Sequence, residues 1–143
     1  MLKINPYLNF AGKTEEAFKF YKSVFGGEFA VLQRFKDTPE GSRVPEKEKE
    51  MIMHVSLPVD GTTLMATDAL ESMGHKLNIG NNIQLSVEAE SKNEVDKIFK
   101  GLSSGGKVTM PLADTFWGAY FGMVTDKFGV QWMVSYTKSQ QAK

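Results

Sequence analysis

The chain lacks cysteine altogether among its 143 residues, which excludes disulfide staples and thiolate chemistry and fits a reducing compartment. It lacks any apolar run approaching the roughly 20 residues of a bilayer-spanning helix. It lacks a surplus of charge: 17 basic side chains balance 17 acidic ones, so no net field draws it to nucleic acid or an anionic membrane. Its first residues, MLKINPYLNF, lack the basic-then-apolar order of a signal peptide. There is no phosphate-cradling glycine loop and no Ser/His/Asp nucleophile pattern. The expectation is a cytoplasmic protein without nucleic-acid or membrane partners. What is present, 41% hydrophobic and 24% charged residues, suits one globular domain large enough to bury a core.

The two halves echo each other. An offset of 79 residues carries Phe20 onto Phe99, Glu15 onto Glu94, Ile4 onto Ile83 and Gly26-Gly27 onto Gly105-Gly106. Each half reads as alternating strand, helix, double glycine, strand and hairpin, the mark of a duplicated supersecondary unit. In the first half, residues 3–10 alternate, with Ile4, Leu8 and Phe10 set against Asn5, Tyr7 and Asn9. Thr14 followed by Glu15 and Glu16 opens a helix whose apolar stripe is Ala17, Phe20, Tyr21, Val24 and Phe25. A strand near 28–36 precedes the charged stretch 37–50, which reads as an exposed insertion, and Asp60-Gly61 turns a hairpin. In the second half, Ser91 caps a helix with the stripe Val95, Ile98, Phe99 and Leu102, a strand covers 107–113, and a hairpin turns over Asp126 to Gly129. The two hairpin turns lie only 66 residues apart, which fits an insertion confined to the first half.

The segments PYLNF, EEAFKFYKSVFGGE, MHVSL, TLMATD and FWGAYFGMVTDKFGVQWMV together resemble the vicinal oxygen chelate superfamily of glyoxalase I, bleomycin and fosfomycin resistance proteins and extradiol dioxygenases. Within it the chain is most similar to the PhnB-like group, sometimes labelled after a demethylubiquinone methyltransferase. The resemblance implies an α+β fold of two tandem βαβββ modules, 1–78 and 79–143. It implies curled mixed sheets around a shared concave site, helices on the convex side, and a homodimer. The family's metal ligands, carried over, fall on Asn5, Met65, Asn82 or Gln84, and Met133. None is a histidine or carboxylate, so neither a metal nor any other cofactor is expected.

Strand parity then nominates the lining of the site. If Leu8 and Phe10 pack under the helix, Asn5, Tyr7 and Asn9 face the concavity, with Gln84 and Ser86 beside them. Across the first hairpin, Ser56 pairs with Met65 and His54 with Thr67. The second hairpin is expected to add Tyr120, Gly122, Gln131, Met133 and Ser135. His54 is the candidate catalytic residue, since an imidazole exchanges protons near neutral pH; its plainer role is a histidine bonded within the sheet. Three functions compete: a metal-free binder of a small, partly apolar molecule; a glyoxalase-like lyase, isomerase or other enzyme using His54, with Tyr7 or a non-standard metal site; and a structural or regulatory dimer with a vestigial cavity.

Overall fold

Two four-stranded sheets, each with one helix against it, make up the computed structural model, which describes residues 1–138. The first unit, Met1–Asn78, holds β1 (Tyr7–Phe10), α1 (Thr14–Phe25), β2 (Val31–Arg34), β3 (Ile52–Val59) and β4 (Thr62–Asp68). The second, from Ile79 onward, holds β5 (Leu85–Glu88), α2 (Lys92–Ser103), β6 (Lys107–Asp114), β7 (Ala119–Thr125) and β8 (Gln131–Thr137). Strand orders are β1-β4-β3-β2 and β5-β8-β7-β6, so the two units have one topology. In each, the first strand runs parallel to the last and the rest pair antiparallel. This is the expected pair of βαβββ modules. Among the described residues no helix is long and apolar enough to cross a membrane.

The opening strand is shorter than its alternation suggests. Pro6 has no N–H to give, and Ile4 is 95% exposed. The ladder is continued instead by Asn5 Oδ1, which accepts the Thr63 N–H at 3.1 Å, and by the Pro6 carbonyl, which accepts from Met65 N–H.

The helices bury the same faces, but not in the expected alignment. Ala17, Phe18 and Tyr21 are buried in α1; Val95, Phe99 and Leu102 are buried in α2. Burial aligns Ala17 with Val95 and Tyr21 with Phe99, an offset of 78, so Phe99 corresponds to Tyr21 and not to Phe20. Ladder register aligns Tyr7 with Ser86, an offset of 79, so the helix of the second unit begins one residue sooner after the equivalent strand position. The duplication is carried by topology, not by that phenylalanine pair.

Helix starts differ as well. Ser91 caps α2, its hydroxyl accepting from Glu94 N–H at 3.1 Å. Thr14 was expected to cap α1, yet it is the first helical residue and Lys13 holds the cap position without a side-chain bond. The carboxylate of Asp68, at the end of β4, takes the role. Its Oδ1 accepts from Gly12 N–H (2.9 Å), Thr14 N–H (3.1 Å) and the Thr14 hydroxyl (2.7 Å), and Oδ2 accepts from Ile52 N–H (2.8 Å).

The charged insertion is not simply solvated. It folds into 3-10 turns at Pro39–Arg43 and Glu46–Glu48, and Val44 joins Phe35 and Leu70 in a small core flanked by Met51 and Met53. Glu48, inside the run PEKEKE, is 2% exposed and accepts from the Ser72 hydroxyl and N–H. Long-range polar partners let a charged residue be buried where local composition predicts exposure.

Arg34, ending β2, ties this region to α1. Its guanidinium donates to both oxygens of Glu15 (2.9 and 2.7 Å) and to the Glu50 carbonyl (2.9 Å). The Arg34 hydrogen bonds hold the Glu15 carboxyl down from its ordinary 4.5 to about 2. A lowered folded-state value stabilises the protein above pH 4.5, and that contribution is lost as pH falls through about 2. With Glu15 about a third exposed, solvent screening reduces it to about 1 kcal/mol. Arg34→Ala is therefore expected to lower the unfolding free energy from urea titration by about that amount at pH 7 and by clearly less near pH 2. An equal deficit at both pH values would show that the charge pair is not the cause.

Candidate functional site

On the first sheet, the face away from the buried Val55, Leu57, Leu64 and Ala66 is built by register. Tyr7 pairs with Met65, Met65 with Ser56 and Ser56 with Val31, which forms one row across all four strands. The next row brings Asn9 beside Thr67 and His54 beside Gln33. His54 was expected opposite Thr67, but the β3–β4 ladder ends at Val55 and Ala66, and His54 pairs with β2 instead. The Thr67 hydroxyl turns back to the Ile52 carbonyl at 3.4 Å.

The polar centre of this face is a Tyr7–His54 pair. The Tyr7 hydroxyl lies 3.0 Å from His54 Nδ1, and the rings stack at 5.7 Å between centroids with 24° between planes. Partial burial raises the Tyr7 pKa, so the phenol keeps its proton at neutral pH. When it donates to Nδ1, a neutral His54 carries its own proton on Nε2 and presents a donor there. Met65 lies beside Tyr7 and supplies an apolar, adaptable contact. Asn5 is held off the strand, its amide oxygen engaged by Thr63.

On the second sheet the corresponding row is Ser86, Met133, Met123 and Met110. Ser86 and Met133 thus occupy the positions of Tyr7 and Met65. Gln131 and Ser135 alternate with the buried Trp132 and Val134, and Gln131 Nε2 donates to the Ile83 carbonyl at 2.9 Å. Gln84 lies just outside β5.

Tyr120 and Gly122 require a correction. They lie on the opposite face, with Trp132 and Val134. The Tyr120 hydroxyl donates to Asp96 Oδ1 of α2 at 2.6 Å, and that bond raises the Tyr120 pKa. A side chain at Gly122 would strike the Phe99 ring. The cause is the turn. Four residues, Asp126 to Gly129, would give the expected parity, but Thr125 pairs with Gln131, so five residues intervene. Asp126 Oδ1 binds the N–H groups of both Phe128 and Val130, drawing Val130 into the turn. A one-residue change of register flips a strand's faces. Phe121 and Met123 thereby take the places assigned to Tyr120 and Gly122, and neither was recognisable because β7 is apolar at both parities. Trp117, 55% exposed, leans on Phe121 at 5.9 Å.

Among the described residues no group of three or more His, Cys, Asp or Glu side chains gathers where it could hold a metal. His75 is exposed beyond the turn that follows Leu70. Asp68 is saturated by the α1 start, where its carboxylate fills the place an anion would take. The donor set that remains on the first face is amide, hydroxyl, phenol, imidazole and thioether. It suits orientation of an organic molecule better than capture of a hard cation.

The family model described as 3-demethylubiquinone-9 3-methyltransferase matches residues 2–135. Protein YjdN of Escherichia coli (strain K12) is 31% identical, over 97% of this chain and 98% of its own length. The crystal structure of protein PA1353 from Pseudomonas aeruginosa matches with a TM-score of 0.85 and 39% identity, over 96% of this chain and 98% of that one. The PhnB protein from Bacillus cereus matches with a TM-score of 0.77 and 28% identity, over 95% and 100%. A glyoxalase/bleomycin resistance protein/dioxygenase family enzyme from Burkholderia phytofirmans PsJN has a TM-score of 0.61 and 15% identity over 92% and 96%, a likeness of fold alone.

Proposed function

Because this chain belongs to the PhnB-like 3-demethylubiquinone-9 3-methyltransferase family, with the fold of the glyoxalase/bleomycin resistance/dioxygenase proteins, we propose that it binds a small, partly apolar molecule without a metal or other cofactor. The carrying observation is the Tyr7–His54 hydrogen bond on a sheet face that also holds Asn9, Ser56, Met65 and Thr67. Met65 and the Tyr7 ring offer contact area, and a few oriented polar groups fix the pose. His54 Nε2 then donates to a carbonyl or other oxygen acceptor of the ligand. The corresponding face of the second sheet, with Ser86, Gln131 and Met133, belongs to the same reading. The protein is read as a cytoplasmic homodimer.

Native mass spectra of freshly purified protein, with elemental analysis, test the reading: a carried organic mass without stoichiometric metal supports it. The same spectra show whether the 15.9 kDa chain pairs. In a fragment screen followed by NMR, hits perturb His54 and Met65, and His54→Ala weakens them about tenfold, the cost of one hydrogen bond to a polar ligand. One equivalent of a divalent metal in the native protein, or hits that ignore His54→Ala, would overturn it. The same pair favours a second reading, general acid–base catalysis with His54 as proton carrier and Tyr7 as its positioning partner. Turnover of any bound compound, abolished by His54→Ala with the near-UV spectrum intact, separates catalysis from binding.

A further inference from the structure

The second sheet carries a feature that ligand binding on the first does not need. Met110, Met123 and Met133 are direct cross-strand neighbours on β6, β7 and β8, side by side on one face. They are three of the eight methionines in the chain. The same row in the first unit holds a single methionine, Met65, with Tyr7, Ser56 and Val31, so the fold itself does not require three thioethers there. Met110 reaches this face through an irregularity. Val108 pairs with the buried Val124 on the helix side, and register shifts on both sides of Met110 bring it opposite Met123. Bulges of this kind re-aim a side chain. Met110 is 40% exposed, so the row opens to solvent at its β6 end.

We propose that Met110, Met123 and Met133 form a three-coordinate thioether site for a soft monovalent cation of the copper(I) or silver(I) class. Adjacent strands lie about 4.8 Å apart, so the outer two backbones are about 10 Å apart, with the third between them. Three unbranched side chains with three rotatable bonds each can lean toward the middle strand and bring their sulfurs together. Thioether sulfur is soft and uncharged, so it selects copper(I) or silver(I) and gives little to zinc, magnesium or calcium. Cation binding here shares Met133 with the small-molecule reading, but the Tyr7–His54 pair that carries that reading lies on the first sheet.

The test is a titration of the whole chain, labelled at the methionine methyl groups, with silver(I) as the redox-stable probe. At one equivalent, the signals of Met110, Met123 and Met133 shift and saturate while Met65 does not, and zinc(II) moves none of the three. Met123→Leu, which conserves volume, weakens silver(I) at least tenfold, and Met110→Leu at the exposed end does the same if the first variant folds poorly. His54→Ala leaves silver(I) uptake at these methionines unchanged. Failure of silver(I) to saturate them at one equivalent, or binding that survives both leucine variants, would overturn the proposal while leaving the small-molecule reading untouched.

Discussion

Asp68→Asn is expected to destabilise the first unit by about 3 kcal/mol, from the loss of charge-assisted hydrogen bonds and of a helix cap. Four donors converge on this 3% exposed carboxylate, from Gly12, from Thr14 twice and from Ile52. They come from the start of α1 and the start of β3, so one side chain at the end of β4 fixes the helix against two strands. Asparagine is nearly isosteric but removes the negative charge from the positive end of the helix. It also turns an N–H₂ toward either the Ile52 N–H or the Thr14 group, setting donor against donor at a buried position. Removing only the hydroxyl, in Thr14→Val, deletes one of the four bonds and should cost about 1 kcal/mol. Chemical denaturation gives the magnitudes, and amide exchange locates them. Exchange should accelerate in α1 and β3 while α2 keeps its protection. A loss below about 1 kcal/mol for Asp68→Asn, or uniform loosening of both units, would show that this carboxylate is not the anchor described.

What the sequence disclosed depended on how local the determining contacts are. The first hairpin was readable because a two-residue Asp60-Gly61 turn fixes register directly, and Ser56 does face Met65. The second was misread because its register depends on Asp126 reaching Phe128, Val130 and, at 2.8 Å, the indole N–H of Trp132. Nothing in the alternation of FGMV says which parity is inside when both are apolar. Tyr120 consequently moved from the candidate face to the helix side, and Met123 moved the other way. The helix stripe was right in kind, yet Phe18 was missed as a core residue and Phe20 is only half-buried, because phenylalanine stands at both positions and spacing alone does not say which one the sheet covers. Asp68 could be read as a strand-end capping residue, but which groups it and Glu48 bind could not be read. Their partners lie between 16 and 56 residues away along the chain. Tyr7 and His54 are 47 apart, and strand parity put both on the candidate face without showing that they bond to each other.

The double glycines closing each helix look interchangeable, but Gly106→Ala is expected to cost about 3 kcal/mol, at the upper end of overpacking effects. A methyl group there would strike the Thr125 carbonyl oxygen and sit 2.9 Å from the Asp126 Cα and 3.1 Å from the Asp126 carbonyl carbon. All three atoms are backbone, so no side chain can swing aside. The backbone in question is also the least able to yield. Thr125 is paired with both Lys107 and Gln131, and Asp126 is anchored through its carboxylate to two N–H groups and the Trp132 indole. Relief must come from shifting β6 against β7 or from breaking the Asp126 turn that sets the parity of β7. Gly61→Ala is the control, since nothing lies within 4 Å of its added methyl, and its effect should stay within about 0.5 kcal/mol. The Trp132 fluorescence reports the damage, because loosening the Asp126 turn frees the indole from its buried acceptor. Unfolding free energies of the two alanine variants from urea titration should differ by about 3 kcal/mol, with the Gly106 variant showing a red-shifted emission under native conditions. If the two variants unfold together, the close approach of α2's end to the β7–β8 turn is not what fixes this register.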